Sequence, residues 1–194
     1  QSLKIKGSQR MFSNFGNSSM GYALPAAIGA AIGSNNRVIC IDGDGGFQMN
    51  LQELQTVVHY NIPIKIFILN NLSYGIIKQF QDAYFGSRYV ATQGKDYSPP
   101  KFAAVADAYG IKSCVIDLNS NLDLEIDKMM SYDGPVLCEV LIDTEQKLTP
   151  KLEFGRPLED MSPYLSEETL KHHMIVPRVK RIDPSHGWIT LEDK

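Results

Sequence analysis

The sequence has 194 residues, of which 19 are Lys or Arg and 22 are Asp or Glu, so its formal net charge is −3 at pH 7. That length fits one medium domain that can bury a substantial core. The charge balance argues against a nucleic-acid-binding surface, and no apolar run approaches the roughly 20 residues that a membrane-spanning helix needs.

Apolar periodicity predicts helices and strands in alternation along most of the chain. Small apolar residues at 20–34 suit a closely packed helix, with Pro25 near its first turn. A buried strand at 37–41 precedes a helix at 50–60, where Asn50 and Glu53 have the spacing of a capping box; the alternative is an earlier start of this helix, at the preceding glycines. The later elements are strand 63–71, helix 75–85, helix 101–110 closed by Gly110, strand 112–118, helix 121–132 and strand 135–143.

The alternation predicts an α/β fold with an open, mostly parallel sheet and helices on both faces. We place this domain at residues 1–145. After it, residues 146–194 are rich in proline and charge and predict an irregular C-terminal tail with one short helix at 166–174. The tail is interpreted as a segment that wraps the domain or contacts a partner, with His186 near Trp188 as a weaker contact candidate.

The cysteines and the first residue allow predictions of the cellular compartment and of whether the chain is a fragment. Cys40, Cys114 and Cys138 each lie in an apolar run, and an odd, scattered set is typical of reduced core thiols. This usage predicts a cytoplasmic protein. Gln1 stands where a complete gene product would begin with Met, which predicts a fragment or an ordered remnant.

Two unusual segments follow consecutive predicted strands. The first is Asp42-Gly43-Asp44-Gly45-Gly46, and the second begins at Asn70-Asn71. Because ligands bind beyond the carboxyl ends of parallel strands, we expect both segments to meet at one edge of the sheet.

The chemistry of these segments indicates a cation together with an anion. The glycines at 43, 45 and 46 let backbone N–H groups approach a phosphate, yet Asp44 repels it unless a divalent cation bridges the two. A carboxylate from Asp44, an amide oxygen from Asn71 and the carbonyl of Ser73 form a reasonable Mg²⁺ shell. The chain has neither a GxxxxGK[ST] loop nor a GxGxxG fingerprint, although a glycine-rich turn taken alone is more often a plain connection.

The stretch "GDGGFQMNLQELQT", followed by "ILNNLSYG", resembles the signature of thiamine-diphosphate-dependent enzymes; 26 residues separate Asp44 from Asn71. Upstream, "SSMGYALPAAIGAAIG" is similar to the segment that meets the aminopyrimidine ring of that cofactor. The stretches "SMGYALPAAIGA", "QELQTVVHYNIPIKIFILNN" and "KQFQDAYFGSRYVAT" most resemble acetolactate synthase catalytic subunits. The resemblance covers residues 15–143 and implies the diphosphate-binding C-terminal domain of such an enzyme.

The resemblance implies a role for each matching residue. Mg²⁺ would be bound by Asp44, Asn71 and the carbonyl of Ser73. Backbone groups of Ser18 and Met20 would meet the aminopyrimidine, and the Met20 side chain would support the bent cofactor. Phe80 stands where the family often has Trp, and would line the substrate entrance. The diphosphate would be held by Gly43, Gly45, Gly46, Tyr74, Gly75 and Ile76.

The resemblance also implies partners and an activity. It implies a carboligase or decarboxylase acting on a 2-oxo acid such as pyruvate, with thiamine diphosphate and Mg²⁺ as cofactors, in a homodimer or homotetramer. The glutamate that activates the cofactor is expected in a separate pyrimidine-binding domain of the same or a neighbouring chain, so no catalytic residue is assigned here. Two alternatives stay open: a lyase or synthase for a sugar-derived or polyol substrate, and a non-catalytic Mg²⁺-nucleotide or diphosphate-binding module.

Overall fold

The structure is a computed structural model that describes residues 4–34, 36–154 and 156–177. The chain divides into two compact units, Gln1–Gln146 and Lys147–Lys194. His186 and Trp188 lie outside the described residues. No helix in the described ranges is long and apolar enough to cross a membrane.

The first unit contains four strands and six α-helices in its described part. The strands are β1 (Ile39–Gly43), β2 (Lys65–Asn70), β3 (Lys112–Ile116) and β4 (Val136–Leu141). The helices are α1 (Ala23–Gly33), α2 (Asp44–Phe47), α3 (Leu54–His59), α4 (Gly75–Tyr84), α5 (Phe102–Ala108) and α6 (Leu122–Ser131), and short 3₁₀ helices lie at Gln48–Glu53 and Gly94–Asp96.

All strand pairs in the sheet are parallel, and the strand order is β1-β2-β4-β3. The side chains of β1, β2 and β4 alternate between the two faces, as expected for strands buried on both sides. The predicted α/β class with a parallel sheet is therefore confirmed.

Helices cover both faces of this sheet. On one face, buried residues of α1, α3 and α5 pack on Cys40, Ile66, Ile68 and Leu137. On the other face, Met129 of α6 packs with Ile116, Val136 and Cys138. The second face is only partly covered, because Ile39 and Ile41 of β1 stay exposed.

Two details differ from the sequence predictions. The predicted helix at 50–60 is broken, since Asn50 has φ −133° and ψ 33° inside the 3₁₀ segment and α3 begins only at Leu54. The predicted capping box does not form: the Asn50 side-chain amide donates to the Gly21 carbonyl (2.7 Å), and the Glu53 carboxylate accepts from the Thr56 hydroxyl (2.9 Å). Tertiary contacts overrode the local capping pattern.

The predicted glycine at the end of α5 is confirmed, and two of the three cysteines are buried as predicted. Gly110 follows the end of α5 with φ +75°, the left-handed conformation that suits glycine after a helix. All three cysteines are free, with Cys40 and Cys138 buried and Cys114 half-buried.

The second unit contains the predicted short helix, α7 (Glu167–His173), which the Ser166 side chain caps by accepting from the Thr169 N–H. An antiparallel bridge joins Lys151 to Ser162, and Arg156 pairs with Asp160 at 2.6 Å.

Candidate functional site

The turn after β1 brings two carboxylates together. Asp42 Oδ1 accepts a hydrogen bond from the Gly43 N–H (2.9 Å), and α2 begins directly at Asp44. A Cβ at position 46 would lie 2.5 Å from Asp42 Oδ1, so any other residue there would displace the Asp42 carboxylate. Burial, with a smaller contribution from the charge of Asp44, raises the pKa of Asp42 to about 6.

Asp44 is a buried carboxylate whose side chain is fixed from two directions. Its Oδ2 accepts from the Ser73 N–H (3.2 Å) and from the Tyr97 hydroxyl (3.1 Å). Burial raises the pKa of Asp44, and hydrogen bonds from the Gly45 N–H, Tyr97 and Ser73 oppose that rise. A neighbouring cation would favour the ionised form of this carboxylate.

The turn after β2 is shaped by Asn70. Its amide nitrogen donates to Glu139 Oε1 of β4 (2.7 Å), and its Oδ1 accepts from the Leu72 N–H (3.0 Å). This turn, in which an asparagine bonds the backbone two residues on, holds Leu72 at φ +55°. The chain therefore bends back after β2, which brings Asn71 and Ser73 to Asp44.

Oxygen atoms of three residues converge at this point. One terminal atom of the Asn71 amide lies 2.7 Å from the Ser73 carbonyl oxygen and 3.3 Å from Asp44 Oδ1. When that atom is nitrogen, it donates to both oxygens; when it is oxygen, three oxygens face one another and a cation is needed between them. A single amide rotation therefore converts a hydrogen-bonded cluster into a set of ligands for a hard cation.

The donor set fits a divalent cation such as Mg²⁺. It combines one carboxylate, one amide oxygen and one backbone carbonyl, which are the hard oxygen ligands that Mg²⁺ prefers. Within the described ranges no group of three or more His, Cys, Asp or Glu side chains could hold a metal, so neutral oxygens and a ligand phosphate would complete the shell. The buried hydroxyl of Ser73 has no hydrogen-bond partner here.

Two glycines leave room beside the cluster. A Cβ at Gly45 would lie 2.2 Å and 2.4 Å from two ring carbons of Tyr74, and a Cβ at Gly75 would lie 2.6 Å from Asn71 Nδ2. Gly75 begins α4, and the N–H of Tyr74 is already bound to the Thr92 carbonyl (2.9 Å). The free N–H groups at the start of α4 favour an anion.

Tyr97 is a site residue that the sequence reasoning missed. Besides its bond to Asp44, its hydroxyl accepts from Gln48 Nε2 (3.2 Å), and its ring lies 4.4 Å from that of Tyr74. Burial, followed by the charge of Asp44, raises the pKa of Tyr97. Tyr97 follows an irregular segment 53 residues from Asp44, and no local motif in the sequence points to it.

A separate cavity of about 630 Å³ lies between residues 12–22 and α1. The exposed side chains of Met20, Phe12 and Tyr22 line it, together with the half-buried Asn50. A Cβ at Gly21, which has φ +84°, would lie 2.7 Å from Met49 Cβ, so this segment depends on glycine.

The structure brings Asp44, Asn71, Ser73, Tyr74 and Gly75 into one cluster, with Gly43, Gly45 and Gly46 in the adjoining turn. Ser18 is exposed with φ +50°, and its hydroxyl donates to the Phe15 carbonyl (3.4 Å). Ile76 is exposed on α4, and the half-buried ring of Phe80 packs at 5.5 Å from that of Tyr84. These positions leave the predicted ligand-binding role of each residue a prediction.

Comparison with known proteins gives a family. Residues 1–140 match the model of the thiamine pyrophosphate enzyme, C-terminal TPP binding domain. The acetolactate synthase large subunit of Porphyra purpurea is 40% identical over 157 residues, which are 80% of this chain and 26% of that protein. Acetolactate synthase isozyme 2 large subunit of Escherichia coli K12 is 36% identical over 159 residues, which cover 81% of this chain and 29% of that protein.

A solved structure of a thiamine diphosphate-dependent enzyme also resembles this chain. The thiamine diphosphate-dependent 4-hydroxybenzoylformate decarboxylase of Rhodococcus jostii RHA1 is similar with a TM-score of 0.59 and 27% identity, over 67% of this chain and 24% of that chain. The chain thus spans about a quarter of the length of these relatives. With its GDGG turn and Asn-Asn turn at one sheet edge, the chain belongs to the C-terminal thiamine-pyrophosphate-binding domains of the thiamine pyrophosphate enzymes.

Proposed function

We propose that this chain is the diphosphate- and Mg²⁺-binding domain of an acetolactate synthase-like enzyme that acts on a 2-oxo acid. The observation that carries the proposal is the convergence of Asp44, the Ser73 carbonyl and the Asn71 amide within 3.3 Å. The named relatives support the reaction class, since two of the three are acetolactate synthases.

In this proposal the chain's own residues bind and orient the cofactor. Asp44, Asn71 and the Ser73 carbonyl hold Mg²⁺, and backbone groups of Gly43, Gly45, Gly46, Tyr74, Gly75 and Ile76 hold the diphosphate. Tyr97 keeps the Asp44 carboxylate in one rotamer through its hydrogen bond. The bound thiamine diphosphate supplies the nucleophilic carbon that attacks the keto group.

The remaining partners belong to the same proposal. Ser18 and Met20 contact the aminopyrimidine beside the cavity that Met20 lines. A pyrimidine-binding domain from the same or a neighbouring chain covers that end of the cofactor, within a homodimer or homotetramer. Phe80 contacts the substrate. The tail after residue 145 is a segment separate from the cofactor-binding domain. The protein is located in the cytoplasm, which its free cysteines support.

The test compares two neighbouring aspartates by titration calorimetry with thiamine diphosphate and Mg²⁺. Asp44→Ala should abolish Mg²⁺-dependent binding, because the diphosphate and the protein then lack their shared cation. Asp42→Asn is the matched control on the same turn. Its Oδ1 bonds only its own turn at Gly43, so binding should fall much less.

Two results would contradict the proposal. Unchanged cofactor affinity in Asp44→Ala would show that Asp44 is not a Mg²⁺ ligand. Equal competition by ATP, measured as displacement of thiamine diphosphate from the wild-type protein, would instead indicate a general Mg²⁺-diphosphate module.

A further inference from the structure

Two cysteines face each other on neighbouring strands, away from the cofactor cluster. Cys114 of β3 and Cys138 of β4 are direct partners in the parallel register, so their side chains share one face of the sheet. Neighbouring strands lie about 4.7–4.9 Å apart, within the roughly 4.4–6.8 Å between Cα atoms that a disulfide bridges. The two thiols therefore lie side by side on that face.

The two thiols differ in access to solvent. Cys138 is fully buried, in contact with Met129 and Val136. Cys114 is half-buried and lines a cavity of about 390 Å³. That cavity is bordered by Lys112, Lys128 and Glu125. A small oxidant can therefore reach Cys114 first.

The surroundings also make Cys114 the more reactive of the pair. The neighbouring Cys138 thiol lowers the pKa of Cys114 most strongly, and the charges of Lys128 and Lys112 add to this, while burial and Glu125 act in the opposite direction. The neighbouring Cys114 thiol, followed by burial, raises the pKa of Cys138. Because Cys114 is the thiol that borders the cavity, between Lys112 and Lys128, Cys114 is the thiol that reacts first.

We propose that Cys114 and Cys138 form a redox-active dithiol, which a hydroperoxide such as hydrogen peroxide oxidises to an intramolecular disulfide. The Cys114 thiolate attacks one peroxide oxygen, the O–O bond breaks, and the released hydroxide takes a proton to leave as water. The Cys138 sulfur then attacks the sulfenic sulfur of Cys114, the S–O bond breaks, and a second water leaves. Two thiols are oxidised and one peroxide is reduced to two waters, and a small thiol reductant reverses the change.

Cys40 provides an internal control for this reaction. It lies on β1 against Ile66, on the opposite face of the sheet from Cys114 and Cys138, and it is buried. Burial, and then the charge of Asp42, raises the pKa of Cys40 to about 12. Cys40 should thus neither react with the oxidant nor pair with another cysteine.

The experiment treats the reduced, purified protein with hydrogen peroxide, blocks remaining thiols, and maps peptides by mass spectrometry without reduction. We expect a linked pair of peptides carrying Cys114 and Cys138, removed by dithiothreitol and unchanged in Cys40→Ser. Cys114→Ser should lose the link, and Cys138→Ser should lose it while accumulating a Cys114 sulfenic acid that dimedone traps. In the wild-type protein, alkylation of Cys114 should be about tenfold or more faster than alkylation of Cys40.

Three results would overturn the proposal. One is a wild-type protein that keeps all three thiols under oxidation. Another is a disulfide that involves Cys40 or links two molecules. The third is oxidation of Cys114 to sulfinic acid with Cys138 still reduced. The wild-type peptide map decides the matter by itself, so it does not depend on the folding of any variant.

Discussion

At the scale of single residues, the contact between Gly45 and Tyr74 gives a sharp prediction. A Cβ at position 45 would lie 2.2 Å from a ring carbon of Tyr74, well inside contact distance. Gly45→Ala should therefore displace Tyr74 and lower the free energy of unfolding by about 1–3 kcal/mol, the usual cost of overpacking. It should also weaken thiamine diphosphate binding, because Tyr74 precedes the start of α4. Urea denaturation and calorimetry measure the two effects.

Gly29→Ala is the matched control for this prediction. Gly29 lies inside α1, and a Cβ added there would meet nothing within 4 Å. Alanine at this position should raise the free energy of unfolding by about 0.5–1 kcal/mol, because glycine costs more backbone entropy in a helix. If Gly45→Ala raised the free energy of unfolding as Gly29→Ala does, the Tyr74 ring would be shown to move aside without loss of stability.

The residues of the cluster differ in how well sequence could identify them. Asp44, Asn71 and Ser73 were predictable together, since they follow consecutive strands and parallel strands end at one edge. Tyr97 was not, because its bond to Asp44 depends on the path of an irregular segment between α4 and α5. The sequence indicates Asn70 only as part of the Asn-Asn pair, whereas its side chain forms the turn itself.

At the scale of elements, Glu139 ties β4 to β2 and α5. Its Oε1 accepts from Asn70 Nδ2 (2.7 Å), and its Oε2 accepts from the Ala103 N–H (3.1 Å). Glu139→Ala leaves these buried donors unpaired, at about 1–3 kcal/mol for each such group, so we expect a clear loss in the free energy of unfolding. Cofactor affinity should fall as well, since Asn70 shapes the turn that carries Asn71.

The control for Glu139 is Glu125→Ala on α6. Glu125 pairs with Lys128 at 2.7 Å on the surface, where an ion pair contributes about 0–1 kcal/mol. Urea denaturation compares the two variants. Equal, small losses for both would mean that the bonds of Glu139 add nothing beyond those of an exposed carboxylate.

The elements show where periodicity suffices and where it does not. Strands β2 and β4 and helix α6 were predictable, because their apolar patterns are set by burial on defined faces. The break at Asn50 was not, since it depends on the bond to the Gly21 carbonyl in a distant loop. The apolar pattern also does not tell which apolar residues stay exposed: Leu24 and Phe47 are buried in the core, whereas Met20 is exposed.

At the scale of the whole molecule, the positions of the glutamates indicate whether this chain can supply a base for cofactor activation. Its first unit contains four glutamates, and each carboxylate already has a partner within the chain. These partners are Thr56 for Glu53, Lys128 for Glu125, Asn70 and Ala103 for Glu139, and Lys78 for Glu145. None of the four lines the cavity beside Met20, where the aminopyrimidine is proposed to lie.

We therefore expect the 194-residue chain to bind thiamine diphosphate without activating it, because activation needs a carboxylate at the aminopyrimidine. With Mg²⁺, thiamine diphosphate and pyruvate, the chain should release no CO₂ and exchange the cofactor C2 proton no faster than free cofactor does. Adding the pyrimidine-binding domain of an acetolactate synthase should raise the exchange rate, and Asp44→Ala with the same added domain should not. NMR measures the exchange directly. Exchange by the chain alone, well above that of free cofactor, would mean that one of its own carboxylates leaves its partner and acts as the base.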